Sequence, residues 1–380
     1  MSHQELPRER ALEWIRRELI EYYTAAELEL PENLSSREFA FQPLTSQFYV
    51  RHLSFKSADE LRKFILKNPP MHLYYSSAVY LFPEIKEMEK KGYVGSELLF
   101  DIDVDEISGC NPMEQLHVCL NCGHLMYGSK IKRCMKCNSS KVVEVSPVSE
   151  DCIRKGARMA AELTRVLRRD LGFDRVDIYF SGNRGFHVRP NCDEECMKLT
   201  SDERREIVDY LKGTGLDLEA ILGPLKDNLL VPSPRDPGWR GRIGRAIYER
   251  LGLREDDSIT WGEAKKRLKI ERAEEAILLA SIDIDEKVTI DVHRLIRIPG
   301  SINGKLGLPV VKLGEAELKD FTIRCELSPF KVKVPIKMRV SIIEKTIMGI
   351  KVSANKGELL EVPGCLAFPF LVKGIAELGE

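Results

Sequence analysis

The segment LLFDIDVD, residues 98–105, constrains the fold of this chain more than any other stretch. Leu98, Phe100, Ile102 and Val104 alternate with Leu99, Asp101 and Asp103, which is the period of a strand with one face laid on a core. Asp101 and Asp103 then share the opposite face, with Cα atoms about 6.6–6.8 Å apart. Two carboxylates held that way can converge on a divalent ion, as a nucleotide-transferring site requires. Acidic pairs are also common as solvated decoration at strand ends, but wholly apolar flanks argue against that here. A second acidic group, Asp283, Asp285 and Asp291, lies far along the chain. Carboxylates from two separated segments suit a two-metal site, whose ions sit about 3.5–4 Å apart. Without metal they repel, and at least one pKa rises.

Cysteines carry the next constraint. Cys119-x2-Cys122-x11-Cys134-x2-Cys137 is two CxxC knuckles joined by a short hairpin, the spacing of a zinc ribbon. Four thiolates leave no open coordination position, so such a zinc is structural. Cys110, His117, His124 and Cys152 flank the ribbon and compete as ligands, while Cys192, Cys196, Cys325 and Cys365 read as ordinary free thiols.

At 380 residues and 43% hydrophobic, the chain forms one large domain or two to three modest ones. A net charge of −1 excludes bulk attraction to nucleic acid, so any such partner needs a local basic cluster. No apolar leader opens the sequence and no apolar run is long enough to span a bilayer. The expectation is a soluble, intracellular protein with no membrane partner.

Periodicity predicts helices over 5–26, 58–67 and Ile153 to Leu171, the last with Ala160, Leu163, Leu167 and Leu171 in a buried stripe. REFAF, QFYVRHLSF and MHLYYSSAVYLF read as extended, and residues 110–150 as an insert. Residues 200–280 are helical, with Thr200 and Glu203 at capping-box spacing. From about 281 the text is strand-like again, and the tail from 328 adds short strands and some helix.

RVDIYFSGNRGFHVRP predicts strand, tight turn, strand. Gly182 and Gly185 let the backbone approach an anion closely. Arg184 offers a planar fork to phosphate oxygens, and His187 can donate to a phosphate or protonate a leaving group. The same letters suit a plain hairpin with an exposed Arg and a packed His. Arg294, Arg297 and Lys305, around a Pro-Gly-Ser turn, form a second anion-binding candidate, or a solvated basic strand end.

Taken together, these motifs resemble the catalytic (small) subunit of the archaeal and eukaryotic DNA primases. REFAF at Arg37 to Phe41, FYVRHLSF, YYSSAVY at Tyr74 to Tyr80, LLFDIDVD, SGNRGFH at Ser181 to His187, and IDEKVTIDVHRLIRIPGS occur in the family's order across residues 37–310. The resemblance implies a mixed α/β (α+β) primase-polymerase core with antiparallel sheets, an inserted zinc ribbon and a helical subdomain. It implies Asp101, Asp103 and Asp285 as ligands of two Mg²⁺ or Mn²⁺ ions, with Asp291 as the competing third acid. It also implies that Ser181, Arg184, His187 and Arg297 contact the nucleotide triphosphate, with Glu38 and Arg51 lining the same cleft. The expected activity is DNA-dependent primer synthesis de novo on single-stranded DNA from NTPs, with dNTPs as a further substrate class. The implied partner is a large subunit, and the implied compartment is the cytoplasm of an archaeal-type cell, or the nucleus of a eukaryotic one.

The chain departs from the family pattern at two places. Asn303 stands where the family usually has a His, and an amide cannot carry its charge. Lys305 is then the residue that can compensate. Cys152 sits where the family's last zinc ligand often lies, in competition with the second CxxC; the four-Cys ribbon is the self-sufficient choice. The expected organisation is a discontinuous core over 1–109, 151–199 and 281–345, a zinc module over 110–150, a helical subdomain over 200–280 and a C-terminal extension over 346–380. Two alternatives remain: a repair or gap-filling polymerase of the same superfamily, and a non-catalytic zinc-ribbon nucleic-acid-binding protein. A DxD glycosyltransferase leaves the ribbon unexplained.

Overall fold

The computed structural model describes residues 6–46, 48–110, 115–128, 131–146, 149–223, 226–270 and 273–379. Two four-stranded antiparallel sheets form its centre. One runs in the order Leu295–Arg297, Pro70–Ser76, Phe39–Pro43, Val50–Leu53. The other runs Val311–Leu313, Val176–Phe180, Gly185–Pro190, Phe100–Asp103. Mixed α/β with antiparallel sheets is therefore what the alternating segments build. Gln47, within one of the predicted strands, and Glu5, at the start of the first predicted helix, lie outside the described residues; that helix runs Leu6–Ala25.

The apolar row of LLFDIDVD behaves as its alternation requires: Leu98, Phe100, Ile102 and Val104 are all fully buried. Across them lies the helix Glu150–Arg169, three residues longer at its start than periodicity alone suggests. Ser149 explains the difference, because its side chain accepts from the Cys152 amide and caps the first turn. Gly156 allows the close approach: a Cβ there would stand 2.8 Å from Val104 Cγ2 and 3.0 Å from Phe186 Cε2.

Two arginines, one partly and one fully buried, join the parts. Arg189 donates to Tyr75 Oη at 3.1 Å and to the Arg297 carbonyl at 2.9 Å, which ties the second sheet to the first. Arg204, fully buried, donates to the carbonyls of Ser96, Glu97, Leu199 and Thr289 at 2.7–3.4 Å. It belongs to the helix Ser201–Lys212, whose Thr200–Glu203 capping box is present in both directions. Helices Gly238–Leu251 and Trp261–Leu268 then pack Trp239, Ile243, Ile247, Trp261 and Ala264 into a hydrophobic cluster of their own.

Three expectations need correction. Residues 281–285 join no ladder, and Glu286–Ile290 is a helical turn rather than a strand. The Asp285 side chain accepts from the Lys287 amide and caps that turn, an alternative that Asp offers wherever its backbone is extended. The scattered cysteines are not free thiols: Cys192–Cys196, Cys325–Cys365 and Cys110–Cys152 are paired as disulfides. Two of these pairs are 40 or more residues apart, and only the tertiary fold brings them together. The boundary expected at 345 falls inside the strand Ile342–Ile347, which pairs with Ile350–Ala354. Among the described residues no helix is long and apolar enough to cross a membrane.

Candidate active site

The strand Phe100–Asp103 pairs antiparallel with Gly185–Pro190, placing His187 opposite Asp101 and Gly185 opposite Asp103. The acidic pair and the glycine-bearing turn are thus neighbours by register. The third acid arrives from the other end of the chain: the Asp285 amide donates to the Asp101 carbonyl at 2.9 Å. Asp101 responds to this company. Burial, and after it the charges of Asp103 and Asp285, push its pKa up to about 7, against the opposing pull of Arg294 and Arg297. Carboxylate oxygens are the hard donors a divalent cation takes, and such an ion would relieve the repulsion among these acids. Asp291 and Asp283 serve elsewhere, accepting from the amides of His293 and Ser108 at 2.9 Å.

The turn beside the acids is closed by Ser181, whose Oγ accepts from the Gly185 amide at 3.0 Å and whose own amide donates to the Gly185 carbonyl at 2.9 Å. Gly182 is required there: its φ is +77°, and a Cβ would stand 2.7 Å from the Leu308 carbonyl oxygen. His187 is buried, with Nε2 3.8 Å from Asp101 Oδ1. Burial first, then Arg189 and Arg297, pull its pKa down to about 3, so the imidazole is neutral at physiological pH. Arg184 has Nε 3.7 Å from Asp103 Oδ1, Nη1 3.0 Å from Glu144 Oε2, and Nη2 on Asp105.

Arg297 lies 4.8 Å from the Tyr74 ring centroid, and its Nη1 meets His72 Nδ1 at 2.6 Å. Burial, reinforced by Arg297 and Lys305, drives the His72 pKa down to about 2, which leaves that nitrogen free to accept. Lys305 is exposed. Desolvation by the surrounding protein, then Arg184 and Arg297, lower its pKa. Asn303 is 2% exposed and donates its amide to the Ser181 carbonyl at 3.0 Å. That bond braces the turn and uses one of the two N–H donors of the amide. Glu38 and Arg51 do meet, at 3.0 Å, but Lys91 Nζ at 3.1 Å shares the same buried carboxylate.

The four ribbon cysteines place their sulfurs within 4.8 Å of one another, with Cys119–Cys137 and Cys122–Cys134 both at 3.6 Å. Tetrahedral zinc with bonds of about 2.3 Å asks for sulfurs about 3.8 Å apart, so the set fits. Cys152 is excluded from it by its pairing with Cys110, and His117 sits outside it with Nδ1 unpartnered. The cysteines flank a small sheet of Leu125–Tyr127, Leu116–Cys119 and Val142–Ser146.

Sequence reasoning missed several residues that surround the site. Asp105 closes DIDVD itself and reaches Arg184. Glu144, from the alternating VVEVS, reaches it from the ribbon sheet. Lys373 follows the C-terminal helix; burial, with Lys305 and Arg184, draws its pKa down to about 8 against the pull of Glu144. Alternation could have flagged Asp105 and Glu144 as one-faced acids, whereas nothing local marks Lys373.

Two carboxylates on an edge strand, a third acid tied to that strand through its backbone, and a basic, glycine-bearing turn stand together here. Similarity to known proteins supplies the class, a nucleotidyltransferase. The family model described as "DNA primase small subunit" matches residues 142–313. The DNA primase small subunit PriS of Saccharolobus solfataricus is 35% identical over 358 residues, 94% of this chain and 92% of that protein. The PriS of Sulfurisphaera tokodaii is 40% identical over 293 residues, 77% and 75% of the two chains. That of Staphylothermus marinus is 34% identical over 369 residues, 96% and 94%. The chain belongs to the DNA primase small subunit family.

Proposed function

We propose that this chain is the catalytic subunit of a DNA primase and synthesises short primers de novo on single-stranded DNA during replication. It draws on NTPs, with dNTPs as a second substrate class. One observation carries the reading: Asp101 and Asp103 lie beside the SGNRGFH turn, Asp285 is bonded through its backbone to Asp101, and burial, with the charges of Asp103 and Asp285 after it, lifts Asp101 to about 7.

Asp101, Asp103 and Asp285 would hold two Mg²⁺ or Mn²⁺ ions. When bound, such ions lower the pKa of the attacking 3′-hydroxyl and neutralise the triphosphate and leaving pyrophosphate. The chain's own residues bind and orient. Arg184 and Arg297 offer planar forks to phosphate oxygens, and Ser181 closes the turn that carries Arg184. His187, neutral at working pH, acts as a hydrogen-bonding group and not as a cation. Lys305 adds an exposed charge at the rim. Asn303 contributes through Ser181. Cys119, Cys122, Cys134 and Cys137 would bind one structural Zn²⁺. A large subunit and a single-stranded template complete the assembly, in the cytoplasm of an archaeal-type cell.

The test is primer synthesis on unprimed single-stranded template with each nucleotide type, by the wild-type chain and by Asp101→Asn. Synthesis that Asp101→Asn abolishes supports the reading. Activity that survives Asp101→Asn in Mg²⁺ removes the acidic site. Extension only of pre-existing primers, with none made de novo, identifies a gap-filling polymerase.

A further inference from the structure

The ribbon sheet does more than stand beside the catalytic sheet: one of its residues grips the guanidinium of the basic turn, and the residue leading into a second strand reaches it through Asp105. Glu144, on the strand Val142–Ser146, accepts from Arg184 Nη1 at 3.0 Å. Gln115, immediately before the strand Leu116–Cys119, donates Nε2 to Asp105 Oδ1 at 2.6 Å. Asp105 in turn pairs through Oδ2 with Arg184 Nη2. Arg184 is thus gripped on both terminal nitrogens, directly by one ribbon strand and through Asp105 by the residue preceding the other.

The grip is rigid at its base. Glu144 is opposite His117 in the ladder, and its neighbour Val145 joins the central hydrophobic core together with Leu116 and Val118. The Asp105 side chain is 5% exposed and that of Arg184 16%, so both work largely out of water, where charge-assisted bonds hold geometry well. A guanidinium carries five N–H donors in one plane. Bonds to Glu144 and Asp105 use two of them and fix that plane, Nε faces Asp103 Oδ1 at 3.7 Å, and the second N–H of each terminal nitrogen is left for a ligand. Phosphate recognition by an arginine fork depends on plane orientation.

We infer that Glu144 is a positioning residue for nucleotide binding: held by the ribbon sheet, it orients Arg184 toward the triphosphate, with Gln115 doing the same through Asp105. The inference rests on the primase reading above. It makes the cysteine module part of the nucleotide grip and not only a separately folded insert.

The test compares wild type, Glu144→Ala, Glu144→Gln, Arg184→Ala and the double variant Glu144→Ala/Arg184→Ala. For each, the Kd of a nucleoside triphosphate is measured with Mn²⁺ present, along with KM and kcat for incorporation on a primed template. Circular dichroism melts check folding. The expected result is a rise of about tenfold in Kd and KM for Glu144→Ala with a much smaller change in kcat, which is the signature of lost binding. Glu144→Gln, which keeps an acceptor without the charge, falls between it and wild type. In the Arg184→Ala background, Glu144→Ala adds nothing further, because it acts through that arginine. An unchanged or lowered KM in Glu144→Ala, or a full additional loss in the double variant, overturns the inference. Failure of the primase reading looks different: the wild-type chain then incorporates no nucleotide, or Asp101→Asn incorporates as well as wild type.

Discussion

The cysteine cluster and the acidic cluster are both sets of like donors, yet they are built in opposite ways. All four thiols come from 19 consecutive positions, Cys119 to Cys137, and local hairpin geometry alone brings their sulfurs to 3.6 Å. The acids come from Asp101, Asp103 and, 182 positions later, Asp285, joined by a backbone hydrogen bond between distant segments. The thiols sit within 4.8 Å of one another, whereas Asp101 and Asp103 stand on the edge strand of a sheet, next to basic groups. A ligand set made by local sequence suits a metal that stabilises structure. A set made by tertiary structure leaves coordination positions for substrate.

Breaking each cluster should therefore give opposite phenotypes. The largest expected effect is Asp101→Asn, which should lower nucleotide incorporation by about a thousandfold or more, read in a primer-synthesis assay. Removing the charge also relieves repulsion. With its pKa raised to about 7, Asp101 makes the metal-free fold less stable as pH rises from the unfolded value near 4 through 7, and flat above it. Without divalent ions at pH 8, Asp101→Asn should thus melt higher than wild type.

Cys134→Ser should do the reverse: a fall in melting temperature, with incorporation retained at saturating nucleotide. Chelator added to the wild type during a thermal scan gives a second measure of the same effect. Next in size is the pH dependence of Mn²⁺ affinity. Binding at the acids must displace the Asp101 proton, so the association constant should rise up to about tenfold per pH unit below about 7 and level off above it. Titration calorimetry in buffers of different ionisation enthalpy would detect the released proton. The smallest effect belongs to His187→Gln, which retains a neutral hydrogen-bonding group. A change in KM of no more than about fivefold, with an unaltered pH profile, is expected of a residue that is never a cation. A new pH dependence would show that His187 carries charge in the complex.

The difference between the clusters also governs what the sequence discloses. Cys-x2-Cys spacing is a local code and can be read without a fold. Alternation in LLFDIDVD identifies a half-buried strand for the same reason, and the register of SGNRGFH against it follows from antiparallel pairing. Asp285 is legible only through family resemblance, since its own surroundings read as strand while the chain makes a capped helical turn. Asn303 illustrates the remaining gap. Its position in a motif suggests a ligand contact, but whether its amide faces phosphate or the Ser181 carbonyl is decided by packing. The two long-range disulfides and the Glu144–Arg184 contact are equally out of reach, because each joins elements whose proximity no local pattern encodes.

Arg204 has a consequence for how this molecule comes apart. It binds the carbonyls of Ser96 and Glu97, just ahead of the first two acids, and that of Thr289, just past the third. One guanidinium thus staples together the two chain segments that the acids need in register. Local opening around it would free both at once, so the amide protons of Asp101 and Asp285 should exchange with solvent in a single cooperative event. The acids would then be lost together, never one at a time, and a partly assembled metal site would have no appreciable lifetime in the native ensemble.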